Sequence, residues 1–517
     1  MTTATLKPLP MAELPLQDGV PPPHLVAPLS TRTERLASLD IFRGITIAAM
    51  LLVNNQGGPA YQPLRHVQWH GWTMTDLIFP FFLFIVGVAI PFSLAKRSSS
   101  IMTTRGQLLA GIWTRALSLV LLGLLLNAVP IWTAKVPLDP NGPPGPILPD
   151  GYNVLTALRW TAAVFVGLAF IALLFPWKSR RIAMGVPLVV AVLFVVLYWA
   201  IFFATRHALA SGLPENFQFG NAILTPWRMR FPGVLQRIGI CYGVAASIAL
   251  FAGWRTVLAS AVLLMTVYSA LMLKAPFEGH VTGALEEKDN FARKVDEQVF
   301  GYSKTGGRNH NYGYPDPEGL VSTLPAIASV LLGILVGMRL RTTERSPAER
   351  CASVLAWGVA VTCLGVLLGW WLMPINKQIW TPSFTVLTTG LGMLGLGAVY
   401  YLADVRGRRA WALPFTIYGM NAIAAFVLAG LMGRLLGLIR FDHPRIAKEV
   451  TTPLAYMKGE ITYGMHELSG WLAPHAAGLA AAIDTKQNVS LAYSLAFVLI
   501  VLIVMSVLYV CRVFIKV

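Results

Sequence analysis

Charged residues are scarce in this sequence. Of its 517 residues only 13% are Asp, Glu, Lys or Arg, and 55% are hydrophobic, whereas a typical soluble domain has about 25% charged residues. The mean hydropathy is +0.61. This composition excludes a soluble globular enzyme and is typical of a chain that crosses a membrane many times.

Cysteine is scarce too, with four residues in the whole chain. Cys241, Cys351, Cys363 and Cys511 lie in or beside apolar segments, and no two of them form a Cys-x-x-Cys pair. The spacing favours neither a disulfide framework nor a zinc ribbon. We expect all four to be small buried side chains.

Long apolar segments are what the sequence does contain. They predict an all-α polytopic membrane protein with about 12 transmembrane helices, and 11 to 13 helices fit the pattern. The predicted spans are 39–56, 76–95, 107–128, 154–176, 182–204, 231–252, 255–274, 320–340, 352–373, 381–402, 411–433 and 489–511.

Basic residues lie in the short connections at one end of these spans. They are Arg32, Arg35, Lys96, Arg97, Arg105, Lys178, Arg180, Arg181, Arg255, Arg339, Arg341, Arg345, Arg350, Arg406, Arg408, Arg409, Arg512 and Lys516. Because cytoplasmic loops are enriched in Lys and Arg, both termini are expected in the cytoplasm. The net charge of +17 then reflects topology, and we expect no nucleic-acid partner.

The spans also divide the chain into segments. We expect a disordered cytoplasmic tail (1–35), three helices (36–128), an inserted transmembrane hairpin with periplasmic loops (129–230), a core (231–433) with a periplasmic loop (275–319), a further periplasmic loop (434–488) and a last helix (489–517).

The first span has polar residues on one helical face. Asp40, Arg43 and Asn54 fall within an arc of about 60° on an ideal helix, over about 21 Å. Because an ionisable group in hydrocarbon is costly unless it faces protein or water, we interpret this face as a polar stripe along an aqueous path. The alternative is an interfacial Asp40–Arg43 ion pair that only anchors the helix.

A histidine follows at the non-cytoplasmic end of this span. His66 can act as a base or nucleophile near neutral pH, and Asp76 could orient it. His70 lies four residues after His66, a spacing that two metal ligands on a helix also use, but there is no obvious third ligand. We therefore expect no metal.

Several of these polar residues lie in short motifs that occur in a fixed order. The motifs are Ser38-Leu-Asp40-Ile-Phe-Arg43-Gly44, Val53-Asn54, Arg65-His66-Val-Gln-Trp69, Asp76-Leu-Ile-Phe-Pro80, Pro232-Gly-Val-Leu-Gln236-Arg237, Asp316-Pro-Glu318-Gly319-Leu320, Pro374-Ile-Asn376-Lys377-Gln-Ile-Trp380 and Gly419-Met-Asn421. Between about residues 35 and 430, the ordered set resembles the heparan-alpha-glucosaminide N-acetyltransferase family, in particular its bacterial members.

The resemblance implies a multi-pass enzyme of the bacterial inner membrane. Such an enzyme moves an acetyl group from cytosolic acetyl-CoA, a co-substrate, to a glucosamine-type amine on the periplasmic side. By position, His66 matches the family's catalytic histidine and Asn54 its active-site asparagine. We assign acetyl-CoA binding to Asp40, Arg43, Arg115 and Asn421, since guanidinium groups suit phosphates. Acceptor binding is assigned to Trp69, Asp76, Gln236, Arg237, Glu318, Asn376 and Lys377.

A transporter of amino sugars or related solutes is the alternative function. A polar path through a helix bundle, with Pro80 and Pro91 breaking span 2, also suits alternating access. The ordered polar motifs argue against a structural or scaffold protein. The sequence leaves open the acceptor's identity, the acyl chain length, a homodimer, and whether the acetyl group passes directly or through His66.

Overall fold

The computed structural model of the protein describes residues 36–98, 104–133, 231–277, 281–300, 316–342, 344–436, 441–442 and 450–515. The predicted tail at 1–35 and the predicted spans at 154–176 and 182–204 lie outside these residues. So does most of the expected insertion at 129–230. The architecture below refers to the described part of the chain.

Helices make up nearly all of the described structure. They are α1 (Ala37–Asn54), α2 (Ile78–Ser98), α3 (Arg105–Thr133), α4 (Val234–Phe251), α5 (Trp254–Lys274), α6 (Phe291–Phe300), α7 (Thr323–Arg341), α8 (Pro347–Trp371), α9 (Pro382–Tyr400), α10 (Leu413–Met420), α11 (Ala422–Leu435), α12 (Pro453–Leu472), α13 (Ala477–Ile483) and α14 (Lys486–Val510). Two short strands, β1 (Phe441–Asp442) and β2 (Val450–Thr451), pair antiparallel.

Within the described residues, nine helices are long and apolar enough to cross a membrane, and the bent pair α10–α11 brings the number to ten. Each of the ten corresponds to one predicted span, which confirms the all-α multi-pass class. The total of twelve and the cytoplasmic position of both termini stay predictions.

The expected span at 411–433 is not one continuous helix. α10 and α11 meet at an angle of 71° because Asn421 leaves the helical conformation, with φ −124° and ψ 38°. The two expected loops at 275–319 and 434–488 are also more ordered than predicted. They contain α6, and α12 with α13, respectively.

Helix starts follow ordinary capping chemistry. Ser346 precedes α8, accepts a hydrogen bond from the Glu349 amide and forms a capping box with that residue. Thr381 precedes α9 and accepts a hydrogen bond from the Phe384 amide, with Pro382 at the first helical position. Hydroxyl caps and an N-terminal proline satisfy or remove amide donors that a helix start leaves unpaired.

The predicted polar stripe on α1 is wrong. Ile47 and Leu51 lie on the same face as Asp40 and Asn54, because seven or eleven residues return to nearly the same side of a helix. Both side chains are buried in an apolar cluster with residues of α10, α11 and α14. The polar residues of α1 therefore form two separate groups, one at each end of the helix.

The contact between α1 and α10 is a backbone contact. A Cβ atom at Gly44 would overlap the carbonyl oxygen of Phe415, and one at Gly419 would overlap the carbonyl oxygen of Asp40. Glycine allows this approach because it has no side chain, as at other close helix crossings in membranes. Arg43 Nη1 adds a hydrogen bond to the Gly419 carbonyl at 3.3 Å.

We expect Gly44→Ala to destabilise the fold, because the new methyl group must push α1 and α10 apart. Forcing an extra methyl group into a close-packed contact costs about 1–3 kcal/mol. The matched control is Gly433→Ala in α11, where a Cβ atom meets nothing within 4 Å. Thermal unfolding in detergent should show a lower Tm for the first variant and no loss for the second. Equal Tm values would contradict the close contact.

The loops at one end of the bundle contact one another. Ser490 at the start of α14 donates to the Gly58 carbonyl, the Trp69 indole donates to the Leu285 carbonyl at 3.0 Å, and the Gly71 amide donates to the Ile375 carbonyl at 2.7 Å. These contacts bring distant loops together at the end of the bundle where α1 ends, which we call the loop face. At the opposite end, where α1 begins, the Ser38 amide donates to Asp404.

The four cysteines are free, but only Cys241 and Cys351 are buried. The expectation of burial is wrong for Cys363 and Cys511, which are exposed. Both follow or lie within apolar helices, where an exposed small apolar side chain can face lipid rather than protein.

Candidate active site

Three predicted residues meet directly at the loop face. His66 Nδ1 lies 2.7 Å from Asp76 Oδ1, and Lys377 Nζ donates to the same carboxylate oxygen at 3.1 Å. Lys377 comes from the α8–α9 connection, about 300 residues from the other two. The carboxylate is 1% exposed and the imidazole 50% exposed. A buried acid thus holds an imidazole that remains open to solvent.

The second oxygen of Asp76 is held by the backbone. Asp76 Oδ2 accepts from the amides of Val67 and Thr73, at 3.2 and 3.0 Å, and from the Thr73 hydroxyl at 3.0 Å. Thr73 and Asp76 form a capping box on the short helix Met74–Leu77 that precedes α2. The charge of Asp76 is therefore compensated by Lys377 and by neutral donors, which a buried carboxylate requires.

This arrangement selects one tautomer of His66. An ionised carboxylate can only accept, so the 2.7 Å contact requires a proton on His66 Nδ1. Lys377 Nζ, at 3.1 Å from the same nitrogen, then lies close to it without donating to it and gives its proton to Asp76. The lone pair is left on Nε2, where it is available to take up a proton or to attack a carbonyl carbon.

Lys377 is held by a compact turn. The Asn376 side chain accepts from the Ile379 amide, and Thr381 and Asn376 bond each other through backbone and hydroxyl groups. The turn ends at Trp380, whose φ of 56° is unusual for a bulky residue. Burial lowers the pKa of the Lys377 amine, while Asp76 acts in the opposite direction.

Arg237 packs against the Trp380 ring at the end of this turn. The residue is 2% exposed, and its guanidinium lies 5.3 Å from the centre of the Trp380 ring. Nη2 donates to the Gly319 carbonyl at 2.9 Å and to the Ser322 hydroxyl, whereas Nε and Nη1 have no hydrogen-bond partner among the described residues. Arg237 therefore joins α4, the turn at 316–322 and the Lys377 turn.

A carboxylate that the sequence analysis did not select holds the 316–322 turn. Asp296 in α6 is buried and accepts from the amides of Asp316 and Leu320, at 3.3 and 3.0 Å. Glu318 lies in the same turn, and its charge acts on both Arg237 and Lys377. Asp296 lies four residues after Ala292 and thus on the same face of α6, but only the structure shows that this face is buried.

Burial, with a smaller contribution from Asp316, raises the pKa of Asp296 from 3.8 to about 7. The folded state therefore holds a proton that the unfolded chain releases near pH 4, so this group's contribution to stability falls as the pH rises from 4 to 7. Asp296→Asn cannot titrate. We expect the Tm of the variant, relative to the parent, to rise with pH over this window. A flat difference would contradict the burial, and Asp289→Asn on the same segment serves as the control.

The other predicted residues divide between the loop face and the rest of the bundle. Trp69 and Asn376 belong to the loop face, and Gln236 is buried beside Arg237 at the start of α4. Asn54 is exposed at the end of α1, where its side chain has no hydrogen bond to another described residue. Proximity along the chain, rather than a contact, links it to His66.

The residues assigned to acetyl-CoA do not form one cluster. Arg43 bonds Asp40 and Gly419, both at 3.3 Å, near the first turn of α1. The Asn421 side-chain amide donates to the Val513 carbonyl at 3.0 Å and accepts from the Ile515 amide at 2.9 Å. Arg115 instead lies over the Tyr242 ring between α3 and α4.

Within the described residues, no group of three or more His, Cys, Asp or Glu side chains could hold a metal ion. His66, Asp76 and Lys377 offer an oriented imidazole, a buried carboxylate and an ammonium group. Such a set suits proton transfer and acyl transfer.

Comparison with known proteins points to one family. A family model described as heparan-alpha-glucosaminide N-acetyltransferase, catalytic, matches residues 35–137. The human heparan-alpha-glucosaminide N-acetyltransferase is 24% identical over 419 residues, which cover 77% of this chain and 53% of that protein. The mouse protein of the same name is 22% identical over 427 residues, covering 76% of this chain and 53% of its own length. The chain thus spans about half the length of these relatives, and its resemblance to this family is confirmed. The likeness to bacterial members in particular stays a prediction.

Proposed function

We propose that this chain, a relative of the heparan-alpha-glucosaminide N-acetyltransferases, transfers an acetyl group from acetyl-CoA to the amine of a glucosamine-type sugar. The observation that carries the proposal is the oriented imidazole of His66, held by the buried Asp76 with its Nε2 free. Asn54, His66 and Asp76 all lie in the segment that the family model matches.

In the direct route, His66 Nε2 removes a proton from the acceptor amine while the amine nitrogen attacks the thioester carbon. The carbon–sulfur bond then breaks, and His66 returns the proton to the leaving CoA sulfur. In the two-step route, Nε2 itself attacks the thioester carbon and CoA leaves as the thiolate. The acceptor amine then takes the acetyl group from Nε2, and the proton that the amine loses passes through the freed imidazole to the thiolate. Asp76 stabilises the positively charged ring in either route.

Asn54 is proposed to donate from its side-chain amide to the oxyanion that develops on the thioester oxygen. Its exposed position at the end of α1 and its lack of a described partner support this role. Lys377 has a different role, because its ammonium already bonds Asp76. It keeps the buried carboxylate ionised and so preserves the tautomer that His66 needs.

Asp40, Arg43, Arg115 and Asn421 are proposed to bind acetyl-CoA. Arg43 is the best supported of them, since its side chain is partly exposed and a guanidinium matches phosphate geometry. The Asn421 side chain can contact acetyl-CoA only if its hydrogen bonds to Val513 and Ile515 break. We further propose that acetyl-CoA comes from the cytosol, that the loop face is periplasmic, and that the chain lies in a bacterial inner membrane.

The acceptor-binding residues differ in how they can act. Asp76, Gln236, Arg237 and Asn376 are buried, which favours a role in holding the loops rather than direct contact with a sugar. Glu318 and Trp69 are less buried, and Trp69 presents an aromatic ring. We propose that Trp69 contacts the acceptor and that Glu318 acts through Lys377.

Mass spectrometry tests the proposed reaction. Purified protein in detergent is incubated with acetyl-CoA and glucosamine, and N-acetylglucosamine is measured against a control without protein. Product formation is expected. Absence of product, together with acetyl-CoA-independent uptake of glucosamine by proteoliposomes, would overturn the proposal in favour of a transporter. The bent pair α10–α11 resembles the broken helices of transporters, but the Asn421 side-chain amide at its break already bonds the backbone of Val513 and Ile515.

A further inference from the structure

The segment 281–300, which we call the cover segment, lies against the His66 loop. Leu285 accepts the indole hydrogen bond of Trp69 at 3.0 Å. That bond holds the Nε1 edge of the Trp69 ring against the cover segment. The next residue, Glu286, approaches His70, so the cover segment contacts two neighbouring residues of the loop that carries His66.

The hydrogen bonds of Asn376 determine the proton position on His70. Asn376 Oδ1 accepts from the Ile379 amide at 3.1 Å, so its Nδ2 must be the donor to His70 Nδ1, at 3.3 Å. His70 Nδ1 is therefore the acceptor, and neutral His70 carries its proton on Nε2. That N–H faces the carboxylate of Glu286.

A gap separates these two groups. His70 Nε2 and Glu286 Oε1 are 4.0 Å apart, which is too far for a direct hydrogen bond. Glu286 has a side chain that is 77% exposed, and no other described residue bonds its carboxylate. A donor and an acceptor thus face each other across a space that one oxygen atom can bridge.

We propose that Trp69, His70 and Glu286 form the binding subsite for the acceptor sugar, with a sugar hydroxyl bridging His70 Nε2 and the Glu286 carboxylate. This inference rests on the proposed function and deepens it. A hydroxyl accepts one hydrogen bond and donates another, as the gap requires, and the flat Trp69 ring offers an apolar surface for the C–H face of a sugar.

The subsite lies next to the reactive imidazole. Asn376 bonds His70, and the adjacent Lys377 contacts His66, so one turn connects the two histidines. A sugar held at His70 therefore has its amine in the neighbourhood of His66. Glu286 lies in the long polar connection between α5 and α7. Under this proposal, its carboxylate helps to determine which sugar the chain accepts.

The test compares Glu286→Ala and Glu286→Gln with the matched control Glu287→Ala, which removes the same charge from the next exposed residue. Steady-state acetylation of glucosamine gives KM for both substrates. We expect Glu286→Ala to raise KM for glucosamine about tenfold or more, because a hydrogen bond to a charged group is lost. Glu286→Gln, which can still accept from a hydroxyl, should stay within about threefold. KM for acetyl-CoA and the kinetics of Glu287→Ala should not change.

Two outcomes overturn the subsite. If Glu286→Ala behaves like Glu287→Ala, the carboxylate does not contact the acceptor. If Glu286→Gln loses as much as Glu286→Ala, the carboxylate binds the ammonium group rather than a hydroxyl. Ligand-observed NMR with glucosamine alone separates this failure from failure of the proposed function. A parent that transfers no acetyl group but binds glucosamine, with binding lost in Glu286→Ala, supports the subsite, whereas equal binding by both proteins overturns it.

Discussion

Replacement of His66 by alanine is expected to lower the rate of acetyl transfer by about a thousandfold or more. General acid–base catalysis by a positioned side chain contributes about 10²–10⁴-fold, and an imidazole that carries the acetyl group would contribute all of the turnover. Because the side chain is half exposed, its removal should leave the fold and acetyl-CoA binding intact. Product formation is measured by mass spectrometry, and acetyl-CoA binding by thermal shift.

The chain contains a matched control for this variant. His466 in α12 also points Nδ1 at a carboxylate, that of Asp484, at 2.7 Å. It lies outside the segment matched by the family model, and its carboxylate is 31% exposed, against 1% for Asp76. His466→Ala should retain parental turnover. Substantial turnover by His66→Ala would show that the assignment of His66 is wrong.

Asp76→Asn is expected to lower kcat by about 10³–10⁴-fold while the KM for acetyl-CoA stays close to the parental value. An asparagine carries no charge, so it neither stabilises the imidazolium nor enforces a proton on His66 Nδ1. A comparable loss follows when the buried aspartate of a serine protease triad is replaced in this way. Steady-state kinetics at saturating acetyl-CoA measure the effect.

A second variant separates chemistry from folding. Asp76→Asn leaves the Lys377 ammonium without its carboxylate partner in a largely buried position, which is destabilising. The double variant Asp76→Asn with Lys377→Met removes both charges and should recover part of the lost Tm. Turnover should stay low in the double variant. Recovery of turnover together with Tm would mean that Asp76 acts only on stability.

The sequence predicted the fold class well because hydropathy is a local property. Every described helix that can cross a membrane coincides with a predicted span, since about 20 consecutive apolar residues are needed to cross the hydrocarbon and are easily recognised. It could not reveal the bend at Asn421, because the groups that bond the Asn421 side-chain amide at the break are backbone groups of residues 513 and 515. Partners so distant in sequence leave no local pattern.

The same limit applies to α1. Three polar residues on one face predicted a stripe, but Ile47 and Leu51 on that face pack against helices that begin more than 300 residues later. Helical periodicity indicates which residues share a face. It does not indicate whether that face meets water, lipid or another helix.

For the candidate site, the sequence by itself determined the residue types and their order along the chain, including His66, Asp76 and Lys377. Only the tertiary structure decided that these three meet, that the proton of His66 lies on Nδ1, and that Asp296 and Trp380 hold the turns beside them. The physical reason is that a catalytic geometry depends on distances of about 3 Å between side chains. Packing of the whole bundle brings residues 66 and 377 to that distance, and no local sequence signal encodes it.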